Sequence, residues 1–124
     1  MIRTAWRGEA ARGRPGVVSV TCTQVRGYLD LPAVLLAGAG LLRHWQEHEG
    51  GLGVQVGVNL RRRISWTVSL WDSDRALHRF LASPRHRQVV TAHRARVNVR
   101  AETYTTDAFD PTAAWAAALR LEGS

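Results

Sequence analysis

This 124-residue chain predicts an α+β fold, a four-stranded antiparallel sheet with both long helices on one face. Three observations carry the prediction. Strand-like and helix-like stretches follow in the order β-α-β-β-α-β, the strands alternate apolar and polar residues with a period of two, and Gly, Pro or Arg clusters mark the joints. That order is the split βαβ, ferredoxin-like arrangement. A short extra helix closes the chain.

Residues 1-15 hold Arg3, Arg7, Arg12 and Arg14 among Gly8, Gly13 and Pro15 with little periodicity, the pattern of a loose, flexible tail. Residues 16-124 then form one domain. Val17 to Arg26 (VVSVTCTQVR) reads as the first strand, ended by Gly27. Asp30 and Pro32 announce a helix running to about Glu49 and stopped by Gly50-Gly51, with Val34, Leu41 and Trp45 on one side. Leu52 to Leu60 places Leu52, Val54, Val56, Val58 and Leu60 on one face of a second strand. After the Arg61-Arg62-Arg63 turn, Ile64 to Trp71 is the third, with Trp66, Val68 and Leu70 opposite Ser65, Thr67, Ser69 and Trp71. Asp72 is placed to cap the next helix, whose buried stripe is Ala76, Leu77, Phe80 and Leu81, and Ser83-Pro84 restarts or kinks it. Val97 to Thr105 is the fourth strand, and Asp110-Pro111 opens the closing helix of residues 109-124, which carries Trp115 and Leu119.

Composition narrows the function classes. The chain is 45% apolar and 22% charged, an ordinary globular balance for a single core. Its longest apolar stretch, Leu31 to Leu42, is well below the roughly 20 residues a membrane-spanning helix needs. No signal-like apolar region follows the arginine-bearing start, so a cytoplasmic protein with no membrane partner is expected. The net charge of +7 invites a nucleic-acid reading, but all 17 basic residues are arginine and only Arg61-Arg63 form a run. No nucleic-acid partner is therefore expected; a positive field steering an anionic small molecule fits as well. Cys22, the one cysteine, lies in a β-like run and reads as a buried, inert thiol.

Two histidine patterns bear on chemistry. At 100° per residue His86, Val89, Val90, His93 and Val97 share one narrow sector of the second helix, so two imidazoles lie on an apolar face. Either they are core-edge residues satisfied by backbone or hydroxyl partners, or they serve as acid, base or ligand in a cavity under the sheet. Seven residues separate them by about 10 Å along the axis, too far to share a metal ion. The second pattern, HWQEH from His44 to His48, matches the H-x-x-E-H spacing of a zinc peptidase family with Glu47 as base. Two ligands do not make a site, and amphipathic helix-end residues explain the same letters; no metal site is expected.

The stretch SWTVSLWDSDRALHRFLASPRHRQVV, preceded by GGLGVQVGV, resembles the dimeric α/β-barrel superfamily, in particular its antibiotic biosynthesis monooxygenase-like branch. The resemblance covers residues 17 to 106. It implies a homodimer packed sheet to sheet, which would cover the apolar back face, and a small-molecule substrate held between sheet and helices. The reaction implied is a monooxygenase-like oxidation of an aromatic or polyketide-type compound in biosynthesis. Cyclase or isomerase chemistry, a haem-binding oxygenase and a non-catalytic ligand-binding dimer are the alternatives within the fold. No cofactor is expected in the first case; in the haem case His86 or His93 would be the axial ligand. The resemblance further implies a tryptophan, an asparagine and a tyrosine near the cavity, matched in type by Trp66, Asn59 and Tyr104. The expected site is thus His86, His93 and Trp66 for catalysis, with Trp71, Trp45, Asn59 and Tyr104 around the substrate.

Overall fold

A computed structural model describes residues 1–9 and 12–122; residues 10, 11, 123 and 124, which fall in the expected tail and closing helix, lie outside the described residues. Among the described residues six strands form one open antiparallel sheet: β1 (Ile2–Arg3), β2 (Arg7–Gly8), β3 (Gly16–Val25), β4 (Gly51–Asn59), β5 (Ile64–Trp71) and β6 (Val97–Thr106). Their order is β1-β4-β5-β3-β6, with β2 also on the β4 edge. The four strands expected from the sequence thus lie in the ferredoxin-like order β4-β5-β3-β6. The helices are α1 (Leu31–Arg43), α2 (Asp74–Leu81), α3 (Pro84–His93) and α4 (Pro111–Arg120).

Several local expectations change. Part of the N-terminal stretch, expected as a loose tail, extends the sheet: Ile2 pairs with Val58 and Arg7 with Val54, and the Thr4 amide donates to the Val56 carbonyl. Such pairing depends on a free neighbouring edge and leaves no periodic signature in so short a segment. A β-bulge between Gly51 and Gly53 turns Leu52 to the opposite face from Val54, and Leu60 falls in the hairpin turn. The first helix stops at Arg43 rather than Glu49, because Trp45 turns inward in a 3-10 turn to pack at 5.0 Å from Trp71. Ser73, not Asp72, caps α2, its hydroxyl accepting from the Ala76 amide; Asp72 accepts from the Ser73 hydroxyl instead. The break at Ser83-Pro84 is a true restart, with the Ser83 hydroxyl accepting from the His86 amide. Finally, α3 ends at His93, so Val97 belongs to β6 and Val90 is 45% exposed.

The two faces of the sheet are packed differently. Val18, Val20, Ile64, Trp66, Val68 and Leu70 point to one face, where Ala114, Trp115, Ala117 and Ala118 of α4 are buried against them. Small alanines let the helix lie close, and Gly57 leaves room for the Trp115 ring, since a β-carbon there would sit 2.8 Å from it. The Trp115 indole donates to Gln55 Oε1 at 2.7 Å, and the Arg3 guanidinium stacks 4.3 Å from the ring centre. The apolar back face that a second copy was expected to cover is therefore covered within the chain. Cys22 is buried in this layer, and desolvation pushes its thiol up against the opposing pull of Arg100 and Arg62, which keeps it protonated.

The other face carries Val17, Ser19, Thr21, Ser65, Thr67, Ser69 and Trp71, with Val54, Val56 and Val58 from β4. Both α1 and α3 cross it. The first begins where the Tyr28 hydroxyl donates to the Arg61 carbonyl at the hairpin and ends beside Trp71; the second starts beside Phe80 and returns to the Arg96–Asp30 ion pair. Replacing Trp115 by Ala removes the largest side chain that α4 buries against the sheet and is expected to cost about 3–5 kcal/mol in urea unfolding, with the ferredoxin-like sheet retained by circular dichroism.

Candidate functional site

Strand alternation puts small hydroxyls and valines under α1 and α3 instead of large apolar side chains. The consequence is a layer that does not seal. Neither helix contains a single buried residue, and Ser19, Thr21, Ser65, Thr67, Val56 and Val58 keep solvent access although two helices cross above them. Tight apolar packing on this face is confined to one end, where Val17, Trp45, Val54, Trp71, Ala76 and Leu77 are buried, with Leu42 and Phe80 against them. We read this partly exposed, hydroxyl-lined floor, walled at one end by aromatic rings, as a cleft and as the candidate site.

The wall is built in steps. Trp71 is fully buried; its indole donates to the Ser69 hydroxyl at 2.9 Å, and that hydroxyl donates to the Ser19 carbonyl. Phe80 lies in front, 5.1 Å from the Trp71 ring, and is flanked by His48 at 4.6 Å and His86 at 4.8 Å. The Ser83 cap fixes the first turn of α3 and so the position from which His86 projects.

His86 Nδ1 and His93 Nδ1 are both buried and have no hydrogen-bond partner. A buried polar atom left unpaired is costly, about 1–3 kcal/mol. The core-edge reading, in which backbone or hydroxyl groups satisfy these rings, keeps one contact, the Leu81 backbone against the His86 ring. Burial pushes the His86 pKa down, opposed by a hydrogen bond with the Leu81 backbone, so at neutral pH the ring is uncharged and can accept a proton or bind an electrophile. His48 is also shifted down, first by burial, with Glu47 opposing and Arg85, His86 and His44 assisting.

The expected residues separate into groups. His86, Trp71 and Trp45 come together at the aromatic end, and His93 lies further along α3. Trp66 and Tyr104 do not join them: both side chains pack on the α4 face, because residues of even number on β3 and β5 and their β6 partners point away from the helices. Burial there pushes the Tyr104 phenol up, so it holds its proton. Asn59 lies at the hairpin, where Oδ1 accepts from the Arg62 amide at 3.1 Å and secures the turn. Two members of the cluster were not assigned to the cleft from sequence: Phe80, read only as core, and His48, read only within HWQEH. That motif breaks up, because the helix ends before it. His44 Nδ1 meets Glu47 Oε1 at 3.0 Å while His48 turns to Phe80, and among the described residues no three His, Cys, Asp or Glu side chains converge on a metal position.

No family model matches the chain, and no curated protein matches it. Solved structures do. A haem-degrading enzyme from Listeria monocytogenes superposes with a TM-score of 0.66 at 18% identity over 83% of this chain and 68% of the other. The cofactor-independent oxygenase SnoaB from Streptomyces nogalater gives 0.61 at 19% identity over 78% and 98%. An uncharacterised ferredoxin-fold protein related to antibiotic biosynthesis monooxygenases, also from Listeria monocytogenes, gives 0.62 at 15% over 82% and 60%. The chain thus has the ferredoxin-like fold of these structures. Among the described residues no helix is long and apolar enough to cross a membrane.

With both His48 and His86 shifted down in the folded state, the unfolded chain binds more protons below the ordinary histidine value of about 6.5. Their contribution is complete above that pH and lost as pH falls through the lowered values. Thermal melts between pH 7.5 and 5 should show Tm declining on the acid side, and the double replacement of His48 and His86 by Asn should flatten that decline.

Proposed function

We propose that this protein is a monooxygenase-like oxidoreductase that takes an aromatic or polyketide-type small molecule into the cleft beneath α1 and α3. The observation that carries the reading is the His86 imidazole: uncharged at neutral pH, its Nδ1 buried and unpartnered at the aromatic end of a cleft that does not seal. A neutral base in that place suits removal of a proton from a phenolic or enolic hydroxyl. The electron-rich anion so formed can be oxidised by dioxygen without a cofactor, as the fold likeness to a cofactor-independent oxygenase supports. Phe80 and His48 offer flat surfaces for stacking, and the hydroxyls of Ser65, Thr67 and Thr21 offer hydrogen bonds along the floor. His93 Nδ1 provides a second polar anchor further along α3.

One alternative has an observation behind it. An uncharged histidine nitrogen without a hydrogen-bond partner is what a bond to haem iron would require, and the fold likeness to a haem-degrading enzyme supports it. His86 would hold the iron, which when bound would activate dioxygen; the residues around it would then position the ring and exclude water.

The test is oxygen uptake with a panel of hydroxylated polycyclic aromatics. His86→Ala is expected to lower kcat/KM by about 100-fold or more, the usual weight of a general base. In the unsubstituted protein kcat/KM should rise with pH along a limb whose midpoint lies below 6.5, the ordinary histidine value. Unchanged turnover in the variant removes the assignment. Titration with haemin separates the alternative: an intense band in the violet that is absent in His86→Ala supports haem.

A further inference from the structure

The chain treats the two edges of its sheet differently. The N-terminal segment lies along β4, where Ile2 pairs with Val58 and Arg7 with Val54. Among the described residues no strand lies along the outer edge of β6. Yet β6 is long and regular: it pairs with β3 from Gly16 opposite Thr106 to Val25 opposite Val97 without a register shift. It contains no proline or glycine, and every residue from Asn98 to Thr103 is exposed. A free edge of this kind is a template for another strand, and proteins ordinarily blunt it with a bulge, a proline or a covering element. Here the only charges on the strand are Arg100 and Glu102, of opposite sign.

The free bonding groups come in a fixed order. The Arg26 amide donates to the Arg96 carbonyl at 2.9 Å in step with the β3–β6 pairing, so the even-numbered residues of β6 bond to β3. Val97, Val99, Ala101, Thr103 and Thr105 therefore direct their N–H and C=O groups away from the sheet. Their side chains lie on the α1 and α3 side, and those of Arg100 and Glu102 on the α4 side. Neither charge is in an ion pair among the described residues; the Arg100 guanidinium donates to the Leu121 carbonyl at 3.4 Å and keeps its charge.

We infer that this edge is a homodimer interface, in which the β6 strands of two copies pair antiparallel about a two-fold axis at Ala101. An axis perpendicular to the sheet keeps each face continuous and requires that residues of like parity meet. With Ala101 opposite Ala101, Arg100 meets Glu102 twice and Val99 meets Thr103 twice. Moving the axis one residue, to Arg100 or to Glu102, sets like charges opposite each other. Charge thus selects the register. In it the outward backbone groups of the five odd-numbered residues are all paired, and Arg100 and Glu102 fall in the non-hydrogen-bonded positions, where cross-strand side chains are nearest. This edge-to-edge pairing is distinct from the sheet-to-sheet packing that the sequence resemblance implies, and it does not depend on the reading of the His86 cleft.

Sedimentation of the full chain over a dilution series is expected to show a monomer–dimer equilibrium. Arg100→Glu and Glu102→Arg each set like charges together at both pairs and should raise the dimer Kd about tenfold or more, with circular dichroism confirming the fold of each. Mixed in equal amounts, the two variants should associate with one another about as strongly as the parent does with itself. Hydrogen exchange followed by residue should find the Val99, Ala101 and Thr103 amides of the parent protected in the dimer and released on dilution. A monomer at every concentration would overturn the interface and leave the edge to a different partner. A dimer indifferent to both reversals, folded variants that do not associate when mixed, or free exchange of these amides within an intact dimer would each overturn it as well, the last by seating the second copy on another face.

Discussion

Residue parity along β5 decides what each face of the sheet can do. Ile64, Trp66, Val68 and Leu70 fill one face and Ser65, Thr67, Ser69 and Trp71 the other, so a bulky apolar surface and a small hydroxylated one lie back to back. The bulky side meets an alanine-rich helix that can approach closely, and this pairing excludes water and bears much of the stability. The small side cannot fill the space beneath two ordinary helices. A slip of one residue in pairing would exchange the two faces and remove both the core and the cleft.

The aromatic end links packing to chemistry. Trp71 is anchored through Ser69 to the β3 backbone, Phe80 leans on Trp71, and His86 leans on Phe80 while the Ser83 cap holds its helix turn. Each contact constrains the next, so the imidazole is held by apolar surroundings that keep it uncharged, and the same surroundings leave its Nδ1 without a partner. A residue that weakens packing at this position is retained only at a cost, which is the pattern of sites built for binding or reaction.

The order of strands and helices was legible because it rests on local rules. Period-two alternation marked β3, β4 and β5, and Ser83-Pro84 and Asp110-Pro111 marked helix starts that the structure keeps. What was not legible depends on tertiary partners. Ile2 and Arg7 pair only because β4 offers an edge, Leu52 changes face only through a bulge, and α1 ends early because Trp45 has Trp71 to pack on. The site divided along the same line. His86 stood out as a polar residue on an apolar sector, and it lies where an apolar wall meets a gap. Trp66 was grouped with Trp71 by residue type, although five positions apart on a strand is an odd step that must place them on opposite faces. His48 was hidden inside a motif that presupposed a longer helix.

The layer under α1 and α3 is open while the layer under α4 is closed. The chain supplies its own control, since Cys22 is buried under α4. The most direct measurement is the rate at which a small, neutral thiol reagent labels Thr67→Cys in the folded protein, with Cys22 followed in the same sample. An open cleft predicts that the new thiol reacts within the range of an accessible cysteine while Cys22 stays protected. Equal protection of both would mean that the helices seal against the sheet, and the cleft would not exist.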